Sequence, residues 1–344
     1  MIDIIQAEID EVLEDNNIDW NELKDSTVLV TGATGLIGGA LVRTLQAANK
    51  RFGLNINIIA HTRQTHGDIR FNINIDFPPD YIFHCAAITK SSEMVHNPVE
   101  VMSVEIDGTR NILNLARTVK SKSVVYLSSM EVYGQAEKKE VCEDDLGYID
   151  LTNPRSSYPE SKRFCELLCT AYCKQYSVPV KIARLAQTFG GGVPRTDTRV
   201  FAQFARSAIK GEDIVLHTEG KSVGNYCYIA DAVRALFTLL LKGANGQAYN
   251  IANPSASMTI RQMAELVADK ICGGNITVVV NVPDDIKERG YLHDVHFVLN
   301  IDKIKKLGWS PRYGLREMYE RLISDWQHKG VEAPNETIPT ATDS

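Results

Sequence analysis

No stretch of this 344-residue chain approaches the ~20 consecutive apolar residues that a membrane-spanning helix needs. There is no surplus of positive charge: 37 Lys and Arg stand against 43 Asp and Glu, a net charge of −6. That balance offers no basic stripe for nucleic acid. The seven cysteines (Cys85, Cys142, Cys165, Cys169, Cys173, Cys227 and Cys272) form no paired framework and no CxxC. The opening MIDIIQAEIDEVLEDN is acidic and amphipathic, and lacks the basic start and unbroken apolar run of a secretory signal. Reduced thiols and a cytoplasmic protein are therefore expected. Cys165, Cys169 and Cys173 recur every four residues, but structural metal sites use short paired spacings. Their neighbours Phe164, Leu168 and Tyr172 suit packing, so no metal is expected.

What is present is 44% hydrophobic residue content, enough for a buried core. Ile4, Ile5, Ile9, Val12 and Leu13 recur at helical spacing, which predicts a short amphipathic helix over residues 3–15. From Thr27 short apolar runs alternate with helical segments: TVLV, NINIIA, RFNINI, YIFHCAA, a helix over Pro98–Val119, SVVYLSS, a helix over Tyr158–Tyr176, and PVKIARLA. Near-continuous apolar strands between helices indicate a parallel sheet covered on both faces. The fold class expected is α/β, a doubly wound Rossmann-type parallel sheet with a smaller C-terminal substrate-binding lobe. Residues 1–24 form a helical appendage in this reading. The dinucleotide domain takes 25–188 and about 228–252, the substrate lobe 189–227 and 253–330, and 331–344 is a loose tail. A helix over SMTIRQMAELVADKI is expected to open on Ser257 as its N-cap.

TVLVTGATGLIG places Gly32, Gly35 and Gly38 after a strand and at the start of a helix. Gly32 permits the tight turn, Gly35 the approach of a pyrophosphate, and Gly38 close helix–strand packing. The helix N-terminus then offers free N–H groups to phosphate. The next strand ends Ala60-His61-Thr62-Arg63, without the Asp or Glu that binds the ribose hydroxyls of NAD. Arg63 suits a 2′-phosphate, so the cofactor expected is NADP or NAD, with NADP favoured.

Tyr158 and Lys162 form YPESK, and i, i+4 spacing puts both on one helix face. A free tyrosine, with a pKa of about 10, is a poor base at neutral pH, and an ammonium held beside it favours the phenolate. That phenolate can take a proton from a sugar hydroxyl as the attached carbon is oxidised. Ser129 lies at the end of the YLSS strand, where ligands gather in open α/β sheets. Its hydroxyl can bond the substrate oxygen.

These residues together resemble the extended short-chain dehydrogenase/reductases that modify nucleotide sugars. The likeness runs from about Thr27 to Trp326, through TGATGLIG, HCAA at His84–Ala87, DGTRNIL, SSMEVYG, YPESK, RLAQTFG and KKLGWSPRY in order. It implies a Ser129, Tyr158, Lys162 triad, and a cofactor cradle that includes Thr34, Leu36, Ile37, Ala86 and Ala87 with the three glycines. Thr89, Gln187 and Arg289 are the expected substrate contacts. The implied chemistry is transient oxidation at C4 of a nucleotide-linked sugar, of the epimerase or 4-ketoreductase kind. The alternative is a 4,6-dehydratase or decarboxylase using Glu131, and the rival from another class is a non-catalytic dinucleotide sensor or scaffold. A homodimer through the two long helices is also implied. Four positions depart from the family pattern. Met130 replaces the dehydratases' Asp, Gln187 and Glu105 each replace an Asn, and Gly224 replaces an Arg that clamps the diphosphate.

Overall fold

Parallel pairing around the strand Thr27–Thr31 organises the molecule. The computed structural model describes residues 3–71, 73, 75–282 and 294–328. In chain order the first half comprises α1 (Ile4–Leu13), β1 (Thr27–Thr31), α2 (Leu36–Phe52), β2 (Asn57–His61), α3 (Arg63–His66), β3 (Tyr81–His84), α4 (Ser91–His96), α5 (Pro98–Val119), β4 (Ser123–Ser129), β5 (Glu140–Val141), α6 (Ser157–Tyr176) and β6 (Val180–Leu185). The second comprises β7 (Gln187–Phe189), α7 (Val200–Lys210), β8 (Ile214–Leu216), β9 (Val223–Tyr228), α8 (Ile229–Lys242), β10 (Ala248–Ile251), β11 (Asn253–Thr259), α9 (Ile260–Leu266), β12 (Val278–Val280), β13 (Val298–Leu299), α10 (Asp302–Lys305) and α11 (Leu315–His328).

The main sheet has the order β10-β6-β4-β3-β1-β2, with every pair parallel. Strand residues alternate between its two faces. Val28 and Val30 join one core with Leu41, Leu45 and Phe237, while Leu29 joins the other with Ile112, Leu113 and Cys165. The strand order reverses between β1 and β3, which opens a crevice beyond their carboxyl ends. A three-stranded sheet β11-β9-β7 and the pairs β12-β8 and β13-β5 make up the remainder. All seven cysteines are free thiols, and no described helix is long and apolar enough to cross a membrane.

Two expectations are corrected. The run RFNINI does not form a strand at any described residue (70, 71, 73 and 75). The Asn111 amide of α5 donates to the carbonyls of Ile69 and Phe71, at 3.0 and 3.1 Å, and Arg70 turns back onto Asp68. Side-chain bonds thus take backbone acceptors that a ladder would use. As a result SVVYLSS is the fourth strand in chain order, where the run of predicted strands made it the fifth. Ser257 lies inside β11; the helix after it opens at Ile260 on Thr259, through a reciprocal capping box with Gln262. The tail 331–344 lies outside the described residues.

The N-terminal helix is tied down by its acidic face. The Glu8 carboxylate accepts from the Gly191 N–H at 2.7 Å and from the Tyr228 hydroxyl. Glu11 meets Arg321 at 3.0 Å, and Asp15, in the turn just after the helix, pairs with Arg234. Burial pushes the Glu8 carboxyl from 4.5 up to about 7, against the hydrogen bonds from Tyr228 and Gly191. A raised acid binds its proton more tightly in the folded state. The stability it allows is therefore full below pH ~4.5 and is lost as pH rises through about 7, by on the order of 3 kcal/mol. Glu8→Gln keeps an acceptor for Gly191 and removes the charge. Its Tm is expected to exceed wild type by a few degrees at pH 8, the gap closing towards pH 4.5 in a calorimetric series. Equal melting at pH 8 would show that the carboxylate carries no penalty.

Candidate active site

The turn after β1 needs glycine. Gly32 has φ of +65°, and a Cβ there would stand 2.9 Å from the Ala86 nitrogen. At Gly38 a Cβ would meet the Gly32 carbonyl oxygen at 2.3 Å, so the helix can approach the strand only without one. Gly35 is the extended N-cap of α2 and supplies no side-chain cap. The first-turn N–H groups, those of Leu36, Ile37 and Gly38, have no acceptor within the helix. With exposed Thr34 they offer donors of the kind a dinucleotide pyrophosphate takes, beside a turn that only glycine can form. Ala86 and Ala87 follow β3 on the opposite wall, and exposed Thr89 lies just beyond them.

A buried relay joins these walls. The Thr31 hydroxyl oxygen accepts from the N–H groups of Cys85 and Ala86, both at 3.1 Å, so its own proton goes to His84 Nδ1 at 2.8 Å. That leaves the proton of the neutral ring on Nε2, facing Thr109 Oγ1 at 3.2 Å. Burial first, and the Lys162 charge second, hold the His84 ring neutral, its pKa pushed down to about 3. His84 thus orients the loop and carries no charge at neutral pH.

Ser129, Tyr158 and Lys162 meet at the carboxyl end of β4. Ser129 ends the strand, accepts the Glu131 N–H at 3.2 Å and favours the ionised form of the Tyr158 phenol beside it. Lys162 Nζ lies 5.7 Å from the Tyr158 ring centroid and donates to the Leu127 carbonyl at 2.7 Å. The helix carrying the pair starts at Ser157; Ser156 precedes it without a capping bond, its hydroxyl donating to the Asp150 carbonyl. The electrostatics differ from the sequence expectation. Burial pushes the Tyr158 phenol above its ordinary value, Lys162 opposes this, and Glu131 and Glu105 reinforce it. The lysine therefore acts in the expected direction without reversing the effect of burial in the protein alone.

The other expected residues, Glu131, Gln187, Arg63 and Arg289, are placed differently. Glu131 reaches the triad, held by the buried Arg155: Nη2 donates to one carboxylate oxygen at 3.1 Å and Nη1 lies 3.0 Å from the other. Gln187 opens β7 half-buried, its Oε1 without a hydrogen-bond partner among the described residues. Arg63 stands apart from the triad. It is two-thirds exposed at the start of α3, with Nε 3.6 Å from Asp68. Arg289 lies outside the described residues. Met130 is buried in the core and brings no acid to the site. At Gly224 a Cβ would lie 2.2 Å from the Tyr226 hydroxyl, so that aromatic ring fills the room an arginine stem would need.

The glycine cradle, the switch-point crevice and the triad fall within one stretch of matched sequence. A model of the NAD dependent epimerase/dehydratase family matches residues 28–252. The chain belongs to this family. Among its relatives, UDP-glucuronic acid decarboxylase 6 of Arabidopsis thaliana is 31% identical over 87% of this chain and 88% of that protein. UDP-glucuronic acid decarboxylase 1 of Xenopus tropicalis is 28% identical over 91% and 75%. The crystal structure of UDP-glucose 4-epimerase from Thermotoga maritima superposes with a TM-score of 0.74 at 22% identity, over 88% of this chain and 99% of that one. A dTDP-glucose 4,6-dehydratase structure from Streptomyces venezuelae gives 0.70 at 20% identity, over 88% and 97%. At these identities the structures show a shared fold.

Two residues of this NAD-dependent epimerase/dehydratase site, Arg155 and Glu105, had no role in the sequence expectation. Arg155 precedes Tyr158 by three residues, and its spacing alone could have suggested a neighbour of the site. Glu105 stood out only as a departure from the family pattern. In the structure it contacts Lys162 at 2.7 Å.

Proposed function

We propose that this enzyme moves hydride at C4 of a nucleotide-linked sugar, either removing and returning it as an epimerase or only adding it to a ketone as a 4-ketoreductase. The observation that carries this reading is the Ser129–Tyr158–Lys162 cluster, standing across the crevice from the glycine cradle. Tyr158, ionised with the help of the Lys162 ammonium, takes the proton of the C4 hydroxyl. Ser129 donates a hydrogen bond to that oxygen as it becomes a carbonyl. A bound nicotinamide dinucleotide supplies the electron-pair acceptor. Intact proton-handling groups argue against a non-catalytic sensor.

A second reading, decarboxylation of a nucleotide-linked uronic acid, draws on the names of the relatives and on Glu131 beside the triad. Gly224, closed off by Tyr226, weighs against it. Cofactor reduction and product analysis with UDP-, dTDP-, GDP- and CDP-sugars, uronic acids included, separate the two. Carbon dioxide release from a uronic acid selects the second. Tyr158→Phe is expected to lose at least ~10²-fold in turnover while still binding dinucleotide. Undiminished turnover in that variant would remove both readings.

We assign NADP as the favoured cofactor on the exposed Arg63 and the absence of an acidic residue at the end of β2. Arg63→Ala is expected to weaken NADP by about tenfold, roughly one charge-assisted hydrogen bond, and to leave NAD unchanged in titration calorimetry. Equal losses would reverse the assignment.

The same reading makes a homodimer through α5 and α6. Their outer faces expose Val99 (77%), Met102, Phe164 and Leu167 (66%), an apolar patch that a second copy would cover. Light scattering is expected to give twice the chain mass, falling to one in Leu167→Asp. A monomeric wild type would dismiss the dimer.

A further inference from the structure

Lys162 does not face Tyr158 alone. Its Nζ is 2.7 Å from Glu105 Oε1, and side-chain exposure is only 4% for the lysine and 1% for the glutamate. The same oxygen accepts the Tyr126 hydroxyl at 2.6 Å, and the Leu127 carbonyl takes another lysine proton at 2.7 Å. The lysine is thus held from α5 and from two neighbouring residues of β4. The second Glu105 oxygen has no hydrogen-bond partner among the described residues. A neutral amide can therefore replace the carboxylate without confronting a donor.

The remaining ionisable groups around this pair narrow the account. On β3 and just beyond it, His84 is held neutral and Cys85 protonated, both chiefly by burial. Tyr126 on β4, and Cys165 and Cys169 on α6, are pushed well towards their neutral forms by the same cause. Glu131, after β4, has Arg155 as its own cation. Glu105 is left as the carboxylate whose cation is Lys162. Burial works against the ammonium, but Glu105 first and then Tyr158 together outweigh it, so Lys162 holds its proton more tightly than an ordinary lysine. A carboxylate at contact distance also opposes the lysine's field at any third group, the more so where water is excluded.

We propose that Glu105 is a positioning residue for the reaction: it fixes the reach of the Lys162 ammonium and cancels part of the positive field that the lysine puts on the Tyr158 phenol. The base is then set by three residues on α5 and α6 and not by the YPESK pair alone. This inference rests on the reading of Tyr158 as the base.

The test is a spectroscopic titration of the Tyr158 phenolate in the full-length protein, in the presence of dinucleotide. The chain has 13 tyrosines, so each absorbance curve is taken as a difference against the same protein carrying Tyr158→Phe. In Glu105→Gln the Tyr158 titration is expected to move about one pH unit downward, tenfold more phenolate at a given pH. Glu105→Asn, a second neutral variant for use if the first does not fold, is expected to shift it the same way. Glu105→Asp, which keeps the charge, is expected to titrate close to wild type. A titration unchanged or moved upward in the neutral variants overturns the proposal. So does an equal downward shift in Glu105→Asp, which would mark a packing effect. The titration needs no turnover, so it is separable from the function itself. If Tyr158→Phe stays active, the base assignment fails whatever Glu105 does. If that variant is inactive and the titration does not move, the Glu105 role alone fails.

Discussion

The contact between the Lys162 ammonium and the Glu105 carboxylate is the point on which the site depends. It joins α5 to α6 on one side of the sheet, and through the Leu127 carbonyl it fixes both to the end of β4. Removing either partner from a buried pair leaves an uncompensated charge, which costs far more than an exposed pair could ever contribute. The triad geometry and the packing of the two long helices are for that reason a single problem. Neither can be altered without moving the other.

A second buried network, behind the first, holds the same strand. The Arg184 guanidinium on β6 grips the Glu166 carboxylate, meets the Tyr133 hydroxyl and donates to the Glu143 carbonyl. Glu166 in turn accepts from Ser128, the neighbour of Ser129, and Tyr133 reaches Asn250 on β10. The Ser128 and Ser129 side chains leave opposite faces of β4, one towards this scaffold and one towards the Tyr158 phenol. Rigidity on the hidden face keeps the half-buried Ser129 hydroxyl in place, as a preorganised site requires.

Much of this was legible in the sequence because the signals were local. Glycine spacing, strand-to-helix rhythm and the i, i+4 pair each depend on neighbours a few residues apart, and α5 and α6 fall where their periodicity places them. RFNINI failed because alternation describes a strand's faces and says nothing about competitors for its carbonyls, here the Asn111 amide more than 30 residues away. The cap of α9 failed because Ser257 and Thr259 are equivalent as caps by type, and only the pairing of β11 with β9 decides between them. Glu105 and Arg155 could be read as residues but not as partners. Their roles arise from tertiary contacts with Lys162 and Glu131, 57 and 24 positions away by the numbering.

The carboxylates of α1, with Asp15 just after it, carry a consequence for how distant parts of the chain are joined. Their partners Arg234, Tyr313 and Arg321 lie 219, 302 and 310 positions downstream. The apolar side of α1 meets Ala40 and Thr44 of nearby α2, but the groups that answer its carboxylates come from the far part of the fold. By itself the segment is too short to be a stable helix. Its contacts with Arg234, Tyr313 and Arg321 close those long loops by charge and hydrogen bonding as well as by core packing. The helix acts as a clasp across elements far apart in sequence.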